Sequence, residues 1–158
     1  MNEIRVRIAH HAVADGSSRL VTVGLGSCVA IMIHDAAAKV GGLAHVLLPD
    51  ATPGRRVENH ARYASTAVPM LLDAMKACGA TGPYAASLAG GAALFGPLLA
   101  FGGSVGARNV AAARRALTAA RVPVVAEDVG GASGRTVSFD VSTGAVKVRS
   151  LRGGEHVL

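Results

Sequence analysis

Two apolar segments, residues 28–34 and 42–48, constrain the fold more than any other feature of the chain. Only a short polar connection that contains Asp35 separates them. Short apolar runs bounded by polar residues are typical of buried strands, and strands this close in sequence usually pair as an antiparallel hairpin. In such a pair the start of one strand faces the end of the other. The pattern therefore predicts that Cys28 lies near His45.

The remaining pattern predicts strands at both ends of the chain and two helices between them. The expected strands cover residues 4–8, 19–23, 83–88, 122–129, 135–140 and 145–151. The expected helices cover residues 59–78 and from 105 or 109 to 120. Pro69 interrupts the first helical pattern and is expected to kink or divide it. Because no regular βαβ alternation appears, we expect an α+β fold with mixed or antiparallel sheets flanked by two main helices.

Length and composition bound the possible functions. At 158 residues the chain is long enough for one core, and we expect one domain over residues 1–158. Two Tyr, three Phe and no Trp leave few platforms for stacking nucleic acid bases, so we expect no nucleic acid partner. The net charge of +6 comes from scattered arginines, which favours attraction to an acidic protein surface or a role in solubility.

Several features bear on the compartment of the protein. The first 14 residues lack the apolar core of a secretory signal, and the chain has only two cysteines. We therefore expect a reduced, cytoplasmic protein. No segment approaches the roughly 18 uncharged apolar residues of a membrane span, so we expect no direct membrane insertion. Cys78 ends the first helical pattern and is expected to pack in the core.

Cys28 and His45 together suggest a thiol nucleophile with its base. A cysteine attacks as its thiolate, and a nearby imidazole can lower the thiol pKa toward neutrality. Gly24 and Gly26 flank Leu25 and allow a tight bend that would present Cys28 beside free backbone N–H groups. We therefore expect a low pKa for this thiol.

Thr22 supplies a third candidate for the site, since its hydroxyl could accept a hydrogen bond from the second ring nitrogen of His45 and fix the tautomer. Each residue also has a structural explanation. A free cysteine is commonly buried as a small apolar residue, a histidine among apolar residues commonly bonds within the core, and threonine favours strands. The residues taken singly leave both interpretations open.

Taken together, these residues resemble the CheD family of chemoreceptor glutamine deamidases from bacterial chemotaxis. The similarity lies in Thr-Val-Gly-Leu-Gly-Ser-Cys-Val at residues 22–29 and Gly-Gly-Leu-Ala-His-Val-Leu-Leu-Pro at residues 41–49. Further blocks at residues 90–95, 105–109 and 128–135 follow in the family's order. The resemblance covers roughly residues 15 to 150, and ordered blocks with matching separations are more specific than any one block.

The resemblance implies a layered α/β/β arrangement and hydrolysis of selected glutamine side chains in methyl-accepting chemoreceptors, giving glutamate and ammonia. It implies that Cys28 is the nucleophile, that His45 is the acid and base, and that Thr22 orients the ring. Beside this resemblance, we expect backbone N–H groups near Ser27 and Cys28, together with the Ser27 hydroxyl and the adjacent Gly26, to hold the oxyanion.

The resemblance also implies partners, namely the cytoplasmic domains of chemoreceptors and a CheC-type phosphatase of the response regulator. Two alternatives remain open at this stage. The chain could be a non-catalytic regulatory binding partner of the phosphatase, or the same thiol could catalyse another acyl transfer.

No cofactor or metal is expected. Six histidines are present, but no pair combines helical ligand spacing with a carboxylate or a Cys-x-x-Cys motif. The glycine pairs at residues 90–91 and 130–131 are not followed by Gly-Lys-Ser or Gly-Lys-Thr, so they do not match a phosphate loop. We expect them to serve positive φ angles or close packing near the site.

Overall fold

The computed structural model describes residues 1–93 and 104–158. In these residues it contains ten strands, two α-helices and a short 3-10 helix at His60–Arg62. The strands are β1 (Asn2–Arg5), β2 (His11–Asp15), β3 (Ser18–Leu25), β4 (Val29–Asp35), β5 (Val40–Val46), β6 (Ala85–Gly90), β7 (Val124–Val129), β8 (Arg135–Asp140), β9 (Val146–Ser150) and β10 (Gly154–Val157). The helices are α1 (Ala64–Ala77) and α2 (Val105–Ala119).

The strands form two five-stranded sheets that pack face to face. The first has the order β1-β3-β8-β9-β10, and the second has the order β2-β5-β4-β6-β7. The β1–β3 and β6–β7 pairs are parallel, and the other pairs are antiparallel. Leu20, Leu43 and Phe139 lie in the core between the sheets, whereas Leu71 and Leu117 pack from the helices onto the second sheet. The prediction of an α+β layered sandwich is confirmed.

The predicted central hairpin forms from β4 and β5. Every residue of β5 is buried, which explains its continuous apolar sequence, because helices cover one face of this sheet and strands cover the other. Asp35 accepts a hydrogen bond from the N–H of Ala38 at 3.0 Å and closes the connection. The register pairs Val29 with Val46 and Ala30 with His45. This register decides which side chains meet in the site.

The strands at the ends of the chain differ most from the prediction. The strand expected at residues 4–8 lies at Asn2–Arg5, and the strands at His11–Asp15 and Gly154–Val157 were not predicted. Both missed strands are edge or near-terminal segments of four or five residues. The apolar run of β2 is only three residues long, at residues 12–14, and β10 is exposed throughout, so periodicity gave little signal for either strand.

The first helix is shorter than predicted and runs through Pro69 without division. The proline lies on the solvent face, so water can satisfy the carbonyl that its missing N–H leaves free. Cys78 follows the last residue of this helix and is exposed, so the prediction that it packs in the core is wrong. The helix ends at Ala77, and the side chain of Cys78 lies beyond the buried face of the helix.

The second helix agrees with prediction and begins at a serine cap. Ser104 accepts a hydrogen bond from the N–H of Ala107 at 3.1 Å, as N-cap side chains do. Arg114 pairs with Glu127 at 2.8 Å on the surface. No helix in the described ranges is both long and apolar enough to cross a membrane.

Candidate active site

The side chains of Thr22 and His45 meet between the two sheets. Thr22 lies on β3 of the first sheet and His45 on β5 of the second, and both are buried. Thr22 Oγ1 lies 2.7 Å from His45 Nδ1 and 2.6 Å from the carbonyl oxygen of Val6. The hydroxyl has one proton, and the carbonyl of Val6 can only accept it. Thr22 therefore donates to Val6 and accepts from Nδ1–H of His45.

This arrangement fixes the tautomer of His45. With the proton on Nδ1, the lone pair of the neutral ring lies on Nε2. In the described part of the chain, Nε2 is buried and has no hydrogen-bond partner. A buried polar atom without a partner is unfavourable and commonly marks a functional position. The geometry supplies a base whose accepting nitrogen is unoccupied.

Cys28 lies directly before β4 on the same face of the sheet as His45. Ala30, two residues later, is the direct cross-strand partner of His45. Cys28 and Ala30 both lie in the core between the sheets, which is also the face that holds His45. Diagonal neighbours of this kind in an antiparallel pair are about 7–8 Å apart at Cα, within reach of their side chains. The structure thus joins Thr22 to His45 by a hydrogen bond and places Cys28 on the same face of the second sheet.

Burial shifts both titrating groups toward their neutral forms. It raises the pKa of the Cys28 thiol, an effect partly offset by the backbone N–H of the same residue. It lowers the pKa of His45 to about 4. The expectation of a low thiol pKa is therefore wrong, because desolvation disfavours the thiolate and the imidazolium alike. At neutral pH the resting site holds a thiol beside a neutral imidazole.

The backbone before Cys28 forms the predicted bend. Gly24 has a φ of 73°, and the N–H of Gly26 donates to its carbonyl at 3.1 Å. The carbonyl of Gly26 accepts from Ala92, and the carbonyl of Cys28 accepts from Gly91, each at 2.8 Å. Both carbonyls thus point toward the segment that follows β6.

The N–H groups of Ser27 and Cys28 have no acceptor in any other residue within residues 1–93 and 104–158. The carbonyls of Gly26, Ser27 and Cys28 all accept hydrogen bonds from the protein. The N–H groups of Ser27 and Cys28 therefore remain available to an acceptor outside the protein. Such paired backbone donors are the usual elements of an oxyanion hole.

The glycine pairs predicted to serve unusual backbone angles do so. Gly90, Gly91, Gly130 and Gly131 all have positive φ. Arg135 is buried and links the two pairs, since it donates to the carbonyl of Gly90 at 3.3 Å and to that of Gly130 at 2.8 Å. Sequence reasoning gave no role to Arg135, and the charge of a single arginine does not reveal a buried contact with carbonyls.

Asn109 is a second residue whose role the sequence did not reveal. Its amide donates to the carbonyls of Ser27 and Leu47 at 2.9 and 3.1 Å.

No group of three or more His, Cys, Asp or Glu side chains suited to a metal occurs in the described part of the chain.

Comparison with known proteins places the chain in a family. The model of CheD, described as chemotactic sensory transduction, matches residues 47–150. The chain belongs to the CheD family. The CheD relatives cover more of the chain than the family model does.

Three relatives illustrate the similarity. The "Probable chemoreceptor glutamine deamidase CheD 2" of Geobacter metallireducens is 45% identical over 94% of this chain and 94% of its own length. The "Probable chemoreceptor glutamine deamidase CheD" of Pyrococcus abyssi is 42% identical over 98% and 96%, respectively. The protein of the same description from Desulforamulus reducens is 40% identical over 94% and 91%.

The pKa of His45 leads to a prediction about acid stability. The ring remains neutral in the folded protein down to about pH 4, whereas the unfolded chain takes up the proton near pH 6.5. The free energy of unfolding therefore falls as the pH falls from 6.5 to 4, by about 1.4 kcal/mol per pH unit and on the order of 3 kcal/mol in total. Urea unfolding from pH 7 to pH 4.5 measures this loss.

The matched variant is His45→Gln, which is expected to flatten the pH dependence in this window. Asp35 and Asp140 have lowered pKa values, through backbone N–H groups at Asp35 and chiefly the Ser142 hydroxyl at Asp140. Their contribution is lost only below the ordinary carboxyl pKa of 3.8, outside this window. Equal slopes for the variant and the wild type would contradict a neutral, buried His45.

Proposed function

We propose that the protein hydrolyses the side-chain amide of glutamines in chemoreceptors, giving glutamate and ammonia, through Cys28, His45 and Thr22. The names of its CheD relatives support the reaction and the substrate. The observation that carries the mechanism is the hydrogen bond from His45 Nδ1 to a threonine hydroxyl whose own proton goes to Val6. It leaves Nε2 as a base on the face that Cys28 shares.

Because Cys28 and His45 are both neutral at rest, the first step starts from a thiol and a neutral imidazole. Nε2 of His45 removes the thiol proton as Sγ of Cys28 attacks the carboxamide carbon, so no ion pair needs to form beforehand. The carbonyl oxygen becomes an oxyanion, which in this proposal accepts hydrogen bonds from the N–H groups of Ser27 and Cys28. One such donor is worth about 3–4 kcal/mol in the transition state.

The remaining steps return the enzyme to its starting state. The imidazolium of His45 gives its proton to the amide nitrogen, the C–N bond breaks, and ammonia leaves a thioester on Cys28. His45 then takes a proton from water as the oxygen attacks the thioester carbon. The C–S bond breaks, Cys28 recovers the proton, and the product is a glutamate side chain.

Ammonia release from a glutamine-bearing cytoplasmic fragment of a chemoreceptor tests the proposal. Mass spectrometry of the fragment should show conversion of specific glutamines to glutamate. A regulatory binding partner of a CheC-type phosphatase would release no ammonia, and an acyl transferase would attach an added amine to the fragment. Because the substrate lies in the receptor's cytoplasmic domain, we also propose that the protein acts in the cytoplasm, where its free cysteines remain reduced.

Thr22→Val is expected to lower kcat/KM by about 10- to 100-fold, because one hydrogen bond to the reacting base and one to Val6 are lost. Valine keeps the shape of threonine but leaves Nδ1–H of His45 without its acceptor. Thr22→Ser retains the hydroxyl and is the matched control, with activity close to that of the wild type. If the valine and serine variants had equal activity, the hydroxyl would have no orienting role.

A further inference from the structure

Asn109 lies in the second turn of α2 with its side chain fully buried. Its Nδ2 donates at 2.9 Å to the carbonyl of Ser27, the residue before Cys28. The same nitrogen donates at 3.1 Å to the carbonyl of Leu47, two residues after His45. One amide thus joins the loop that carries the proposed nucleophile to the end of the strand that carries the proposed base.

The orientation of this amide follows from its partners. Two carbonyl oxygens can only accept, so the group that faces them must be the NH₂ and not the oxygen. Oδ1 is left buried without a hydrogen-bond partner within the described residues. A buried, unpartnered oxygen is unfavourable for folding. The two bonds from Nδ2 to the carbonyls of Ser27 and Leu47 are therefore what the amide adds at this position.

The first turns of α2 also lie against the segment that follows β6, and this segment binds the loop before Cys28. A Cβ on Gly106 would lie 2.5 Å from the carbonyl oxygens of Gly91 and Ala92, so only glycine permits this approach. The N–H groups of those two residues hold the carbonyls of Cys28 and Gly26. The helix therefore contacts the nucleophile loop directly through its amide and indirectly through the segment after β6.

We propose that Asn109 is a positioning residue that sets the separation of Cys28 and His45, an inference that rests on the proposed function. Thr22 fixes the rotation of the imidazole through its hydroxyl. Asn109 fixes the two backbones relative to each other. Because Sγ and Nε2 must exchange a proton during attack, a displacement of about 1 Å can cost about 100-fold in rate.

Asn109→Leu removes both donors and nearly preserves the shape of the side chain. We expect kcat to fall about 100-fold while KM changes little, because the variant disturbs the reacting groups and not the substrate contacts. Leu117→Ala is the matched control, since Leu117 is also a buried residue of α2 but packs in the helix-side core. It should lower the unfolding midpoint and leave the kcat of the folded protein unchanged.

Alkylation of Cys28 provides a readout that needs no turnover. Cys28 is only 5% exposed, whereas Cys78 is exposed and serves as a reference in the same molecule. With the loop released, the Asn109→Leu variant should react faster with iodoacetamide at Cys28 than the wild type does, with no change at Cys78. The Leu117→Ala control should show no such acceleration. Peptide mass spectrometry separates the two sites.

The kinetic and alkylation results together decide the inference. The inference is overturned if Asn109→Leu matches Leu117→Ala in kcat and in Cys28 alkylation, or if it raises KM alone. If the leucine variant does not fold, Asn109→Ala is measured in the same way and judged by the same outcomes. If the wild type releases no ammonia, the proposed function fails, and the alkylation comparison still decides whether Asn109 holds the loop.

Discussion

Cys28→Ala is expected to abolish ammonia release from the receptor fragment, with a loss of at least about 10⁴-fold in kcat, since no other group can form the thioester. The substitution removes one buried sulfur, so the protein should fold with a modest loss of stability. Cys28→Ser should also be nearly inactive, because a serine hydroxyl is a poorer nucleophile than a thiol beside a neutral imidazole. Ammonia release and mass spectrometry of the fragment measure both losses.

The chain contains its own control for this experiment. Cys78 is exposed just after α1, and it lies outside the core between the sheets that holds Cys28. Cys78→Ala should therefore retain wild-type activity. An inactive Cys78→Ala together with an active Cys28→Ala would show that the nucleophile is assigned to the wrong cysteine.

The sequence predicted the part of the fold that the site depends on. The paired apolar runs predicted the β4–β5 hairpin, because both strands are buried on two faces and carry a strong signal, but they did not predict its register. The edge strands β2 and β10 carry a weaker signal, because β2 has only three apolar residues in a row and β10 is exposed. The sequence also predicted three strands of the first sheet, β3, β8 and β9, which alternate buried and less buried residues.

The electrostatic state of the site could not be predicted from sequence. The hairpin pattern predicted that Cys28 and His45 are neighbours, but the pKa of each depends on how much water the sandwich excludes. Both side chains prove to be buried, at 5% and 1% exposure, and desolvation dominates. The carbonyl of Val6, which decides the tautomer of His45, belongs to the backbone and has no signature in the sequence.

The neutral resting state of Cys28 and His45 affects how the thiol becomes a nucleophile. A neutral thiol in a desolvated site gains its nucleophilicity only as the proton moves to His45, so the rate depends on the placement of two groups and less on the population of an ion pair. This makes the hydrogen bonds that place Cys28 and His45 more important than long-range charge. In the proposed mechanism, Thr22 places the ring of His45 and Asn109 places the backbones that carry Cys28 and His45.

His45→Gln is expected to lower kcat/KM by about 10³-fold or more, because it removes the group that accepts the thiol proton and returns it to the leaving nitrogen. Glutamine still offers polar atoms to Thr22 but has no group that titrates. His11→Gln is the control, since His11 is exposed at the start of β2 and should have no effect. Initial rates on the receptor fragment measure both variants.

The pH profile of the wild type tests the same residue without a mutation. The acid limb of kcat/KM reports the pKa of the essential base in the free enzyme. Since burial lowers the pKa of His45 to about 4, activity should remain level from pH 8 to about pH 5 and fall tenfold per unit only below about 4. An acid limb between pH 6 and 7 would mean that His45 is solvated or paired with a thiolate when substrate arrives. In that case the reaction would begin from an ion pair, and the concerted proton transfer derived from the buried geometry would be wrong.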